Sequence, residues 1–128
     1  MFQRRGERLR SGLPASFTKA VMQHTPTTDP VLARLSAALH AIYGPRLERA
    51  ILFGSRSRGD ARSDSDYDVA VFLHEYRGFW PELRPLGEIT TAILLETGGV
   101  ISAKPFPQGA YNERTLLMQE IRREGIDL

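Results

Sequence analysis

The sequence predicts an α/β fold, a small mixed sheet with helices packed on it, and three observations carry that expectation. Two apolar runs, AILF (residues 50–53) and VAVFL (residues 69–73), are too short for helices and are bounded by glycine or charged residues, as buried strands are. Three longer stretches repeat apolar residues every three or four positions, the helical period. The two kinds alternate along 128 residues, enough chain for one core and too little for a second.

The first helix is expected within TDPVLARLSAALHAIYGP. Asp29 is placed to cap it, Pro30 suits its first turn, and Val31, Leu32, Leu35, Ala38, Leu39 and Ile42 share a face until Gly44 and Pro45 end it. RAILFG and YDVAVFL follow as strands joined by a polar segment. PLGEITTAILLETGG returns to helical spacing through Leu86, Ile89 and Ile93, with Gly98 and Gly99 as the stop. VISAKPF reads as a third strand. YNERTLLMQEIRREG closes the series as a helix, with Leu117 and Ile121 on one face, Arg122 and Arg123 in the last turn and Gly125 after it.

Composition narrows the function classes. No cysteine is present, which removes disulfides and thiolate chemistry and points to a reducing cytoplasm. No run approaches the ~20 apolar residues of a membrane helix, so no membrane partner is expected. The net charge of +2 is unevenly spread. Residues 1–21 hold Arg4, Arg5, Arg8, Arg10 and Lys19 against Glu7 alone, a surplus of four, and the rest of the chain is mildly acidic. Residues 1–27, without apolar periodicity, read as a disordered basic leader or a misassigned start, and residues 28–128 as the domain. Scattered arginines without interleaved aromatics are a poor nucleic-acid signature, so nucleic acid is not expected as a direct partner.

The segment between the first two strands, GSRSRGDARSDSDYD (residues 54–68), crowds three arginines and four aspartates together. Asp66 and Asp68 flank Tyr67 and so project from the same side of a strand. Two such carboxylates raise each other's pKa unless a cation lies between them. A hard divalent ion such as Mg²⁺ fits, since it is commonly held by one or two carboxylates with the remaining positions left to water and substrate phosphate. Gly54 and Ser55 supply the complementary half, because a glycine lets the backbone approach a ligand and a turn entering a helix presents N–H groups to an anion.

Gly54 and Ser55, then ten residues, then Asp66, Tyr67 and Asp68, with apolar strands on both sides and Arg58-Gly59 between, resemble the signature of the DNA polymerase beta-type nucleotidyltransferase superfamily, and within it the minimal nucleotidyltransferases. The C-terminal IRREGIDL is similar to the ending of small bacterial members, and the resemblance extends from about Val31 onward. It implies transfer of a nucleoside monophosphate, AMP from Mg-ATP foremost, to an acceptor hydroxyl with release of pyrophosphate. It also implies that Gly54, Ser55 and Arg58 hold the nucleotide, that Asp66 and Asp68 are catalytic and bind Mg²⁺, and that a HEPN-domain toxin is the protein partner.

In one respect the chain departs from the family. Active members have a third carboxylate on a later strand, whereas GGVISAKPF has none and places Ser102 or Lys104 in that slot. A second reading is therefore a nucleotide-binding, antitoxin-like protein that acts by holding its partner. Glu88 or Glu96 on the preceding helix, or a carboxylate from the partner, is a candidate replacement acid. Arg56 and Arg62 are candidates for neutralising triphosphate or simply for balancing the local aspartates. Asp64, Asp66, Asp68 and Glu75 imitate a calcium loop, yet Val69 stands where that loop needs glycine. Phe79 and Trp80 are expected to pack in the core, with an exposed patch for a partner as the alternative, and no role is expected for His24, His40 or His74.

Overall fold

The computed structural model describes residues 29–59, 62 and 65–128. The leader expected over residues 1–27 lies outside them. The elements are α1 (Pro30–Tyr43), a 3₁₀ turn (Gly44–Arg46), β1 (Leu47–Phe53), the single-turn α2 (Ser55–Arg58), β2 (Tyr67–Leu73), α3 (Phe79–Thr97), β3 (Ile101–Pro107), a 3₁₀ turn (Ala110–Asn112), α4 (Leu116–Glu124) and β4 (Ile126–Asp127). The expected α/β architecture is present, with α2 and the two-residue β4 added because neither is long enough to leave a periodic signal.

The sheet order is β3-β2-β1-β4, with β2 parallel to β3 and antiparallel to β1. Strand alternation divides the interior in two. Ala50, Leu52, Tyr67, Val69, Val71 and Leu73 face α1 and α3, while Ile51, Phe53, Ala70 and Phe72 face Met118 and Ile121 of α4. Both faces of β2 are thus covered, which is why its sequence is a continuous apolar run after Asp68.

Asp29 caps α1 as expected, its Oδ1 accepting the amides of Val31 (2.8 Å) and Leu32 (3.4 Å). The buried face is Leu32, Leu35, Leu39 and Tyr43, and Ile42 lies 59% exposed beside it. The last helix is likewise rotated from expectation. Met118 and Ile121 are buried and Leu117 is 37% exposed, because the chain enters through the Thr115 cap, whose Oγ accepts the Met118 amide at 3.1 Å.

The expectation that Phe79 and Trp80 pack in the core is overturned. α3 begins at Phe79, earlier than its periodicity indicated, and the aromatic side of its first turn faces solvent; Trp80 is 75% exposed and packs edge-on against Phe79. The buried place in that turn belongs to Glu82, which pairs with Arg46 and accepts the Arg77 amide at 3.0 Å. Pro81 is tolerated there because a first-turn residue has no intrahelical acceptor for an N–H.

Gly125 joins α4 to β4 where space is smallest. A Cβ there would lie 2.4 Å from the Ile121 carbonyl oxygen and 2.4 Å from Ile51 Cγ2. Gly125→Ala is expected to destabilise the domain by about 1–3 kcal/mol, the usual cost of overpacking. Chemical denaturation measures it, and an unchanged midpoint would mean that β4 can shift without loss.

Candidate functional site

β1 ends at Gly54, whose φ of 78° and ψ of −156° belong to a region that essentially only glycine occupies. Its carbonyl accepts the amides of Ser57 (3.1 Å) and Arg58 (3.2 Å) and the Ser57 hydroxyl (2.8 Å), closing α2 in a single turn. Gly59, left-handed at φ 81°, ends that turn with its amide on the Ser55 carbonyl at 3.1 Å. Ser57 is thereby buried and structural, and Ser55 stands at the mouth of the turn.

The register then brings the halves of the motif together. Phe53 pairs with Asp68, so Gly54 lies against the Asp68 carboxylate; a Cβ on Gly54 would be 2.6 Å from Asp68 Oδ2. Asp66 is exposed just ahead of β2, and Asp68 is half-buried within it on the α4 side. On β3, Ser102 is the register partner of Asp68 and Lys104 that of Ala70. Burial pushes the Asp68 carboxyl above the ordinary aspartate range. Lys104 pulls the other way, and the negative charges of Asp66 and Glu120 add to the rise.

Tyr67 turns to the opposite face and anchors the strand. Its hydroxyl donates to Asp29 Oδ2 at 2.8 Å, and the Arg56 guanidinium lies 3.9 Å from its ring centre. Arg56 also donates from Nε to the Ser65 carbonyl (2.8 Å) and from Nη2 to the Arg62 carbonyl (3.4 Å). Arg56 therefore latches the segment leading into Asp66. Arg58 reaches Glu124 of α4 at 3.3 Å, tying α2 to the helix on that face.

The acids considered as replacements for the third carboxylate are elsewhere. Glu96 pairs with Arg34 at 2.9 Å on the α1–α3 side, and Glu88 borders the groove between those helices. The helical acid whose charge acts on Asp68 is Glu120, one turn before Glu124, and local spacing gives no signal of that encounter. The tie between Asp29, Tyr67 and Arg56 has no such signal, because its members are far apart in sequence. The calcium-loop alternative fails, since Val69 is fully buried within β2. His40 bonds its own helix through the Ser36 carbonyl and His74 contacts Gln108, so neither adds a metal ligand.

Among the described residues no group of three or more His, Cys, Asp or Glu side chains could hold a metal ion. Two carboxylates on one face, beside a backbone stripped of its Cβ, nonetheless suit a hard cation that shares its shell with water and phosphate. Such an ion would be held by Asp66 and Asp68.

A strand, a glycine-serine turn and a carboxylate pair at the start of the neighbouring antiparallel strand define a nucleotidyltransferase-fold domain. Residues 42–126 match the model of the family described as polymerase beta, nucleotidyltransferase, and the chain belongs to that family. No curated protein matches it. Among solved structures, a chain assigned as a minimal nucleotidyltransferase is 30% identical over 75% of this chain and 90% of that one, with a TM-score of 0.50. A toxin-antitoxin structure with AMP-PNP has the same fold at 20% identity over 74% of this chain and 69% of that one, TM-score 0.54. A mutant of the toxin-antitoxin MntA-HpeT is similar at 18% identity over the same shares, TM-score 0.54. Among the described residues no helix is long and apolar enough to cross a membrane.

Proposed function

We propose that this protein binds a nucleoside triphosphate with Mg²⁺ and transfers the nucleoside monophosphate, AMP foremost, to an acceptor hydroxyl. The observation that carries this reading is the seat of Asp68 against Gly54, which brings the carboxylate-bearing strand against the glycine-serine turn. Asp66 and Asp68 hold the cation, which supplies charge stabilisation at the phosphates when bound. Gly54 and Ser55 admit the polyphosphate closely, and Arg58 adds positive charge to the rim of the same turn. The acceptor oxygen attacks the α-phosphorus and pyrophosphate leaves on the far side. The fold of a toxin-antitoxin structure with AMP-PNP supports an adenine nucleotide and a protein partner, for which a HEPN-type toxin is the class proposed. The cysteine-free composition supports work in the cytoplasm.

One observation favours a second reading. Ser102, not an acid, is the register partner of Asp68, so β3 offers no carboxylate to draw the proton from the acceptor. General-base help contributes about 10²- to 10⁴-fold, and without it the protein would hold nucleotide and partner with little turnover. Pyrophosphate release from Mg-ATP, measured with and without a HEPN-type partner, separates the two. Release that is slow alone and rises with the partner supports transfer. A tight complex with no release supports the binding reading, and neither release nor nucleotide binding would remove both.

A further inference from the structure

We infer that Lys104 is a nucleotide-binding residue that takes over the charge of a second divalent cation, so that this site works with a single metal ion; the inference rests on the proposed function above. Lys104 lies on β3 opposite Ala70, on the same face as Asp68 and Ser102 and within the parallel pair that carries the carboxylates. Its side chain is exposed, free to reach a bound polyphosphate, while its neighbour Pro105 is buried and fixes the strand beneath it. The balance of charge is the physical argument. Three carboxylates with two divalent cations have the same net charge as two carboxylates, one ammonium and one divalent cation, and both leave the site positive toward a triphosphate. The described residues supply the second set, since no third acid stands close enough to complete a metal cluster.

Lysines on edge strands often serve only to discourage association between sheets. On β3 that task already falls to Pro105 and Pro107, which lack the N–H that a new strand would pair with. Lys104, immediately before them, is redundant as an edge guard and correctly placed as a phosphate ligand. A flexible ammonium is suited to this, acting as a point charge on whichever phosphate oxygen is nearest.

The test counts metal and nucleotide on the intact protein, with AMP-PNP as the probe. Mn²⁺ titrated in the presence of saturating AMP-PNP, followed by electron paramagnetic resonance, is expected to give one ion per bound nucleotide. Lys104→Met is expected to weaken AMP-PNP binding by about 10- to 100-fold, the scale of a lost hydrogen bond to a charged group, and Lys104→Arg to retain most of it. Mn²⁺ alone should bind Lys104→Met several-fold more tightly than wild type, because a neighbouring positive charge has been removed. Two ions per nucleotide in the wild type, or equal AMP-PNP affinity in wild type and Lys104→Met, would overturn the inference and leave the proposed function standing. A wild type that binds no AMP-PNP at any metal concentration would overturn both, and circular dichroism of each variant excludes loss of fold as the cause.

Discussion

Gly54→Ala is expected to abolish metal-dependent nucleotide binding. Two independent penalties meet at this residue. The backbone at φ 78° and ψ −156° costs a non-glycine residue about 1–3 kcal/mol. The added Cβ would also sit 2.6 Å from Asp68 Oδ2, the end of a side chain whose backbone is held between Phe53 and Ser102 in the sheet. Either the turn rearranges or the carboxylate swings away, and in both cases the anion-facing backbone and the cation-facing acid lose their alignment. Calorimetry with Mg-ATP should record at least a ~100-fold loss, since displacements near 1 Å carry penalties of that order at preorganised sites, accompanied by a lower melting temperature. Near-wild-type binding would show that the glycine serves the turn alone and that the ligand sits elsewhere.

Much of this arrangement was legible in the sequence because it depends on short-range rules. Val69, Val71 and Leu73 on one face and Ala70 and Phe72 on the other gave an uninterrupted apolar run too short for a helix, the pattern of a strand covered on both sides. The distance from Gly54 to Asp68 matters because an antiparallel partner must return to the end of β1, as the Phe53–Asp68 pair does. What stayed hidden was decided by partners distant in sequence. Arg56 suits either a phosphate or the local aspartates in sequence terms, and its reach to Ser65 and its place over Tyr67 follow from where β2 happens to begin. Trp80 looked like core, but a buried Glu82 paired with Arg46 decides which side of the first turn of α3 faces inward. Lys104 and Glu120 come to Asp68 from a parallel strand and a packed helix, and neither encounter has a signature in local spacing.

The Asp66→Asn/Asp68→Asn variant is expected to lose metal-dependent nucleotide binding by at least ~100-fold and to be no less stable than wild type in the absence of metal. The first effect follows from the ligand set, because an amide carries no charge for a hard cation and, among the described residues, no other acid completes a cluster. The second follows from the position of Asp68. Its carboxyl is raised chiefly by burial, with Asp66 and Glu120 adding and Lys104 opposing only in part. A carboxyl raised on folding means that the folded state binds more protons than the unfolded one between the ordinary aspartate value and the raised one. Stability therefore falls as pH rises through that window and stays reduced above it. Asparagine, uncharged throughout and nearly the same shape, removes this penalty and the repulsion from Asp66. The melting temperature of the metal-free variant at pH 7 should accordingly equal or exceed that of wild type, and the advantage should vanish once the pH is low enough to protonate Asp68 in both states. Carboxylates kept for structure would give the reverse, a lower melting temperature at pH 7 with nucleotide binding intact. Carboxylates that cost the empty fold stability and are needed to hold the ligand are what a site built for a cation and a polyphosphate requires.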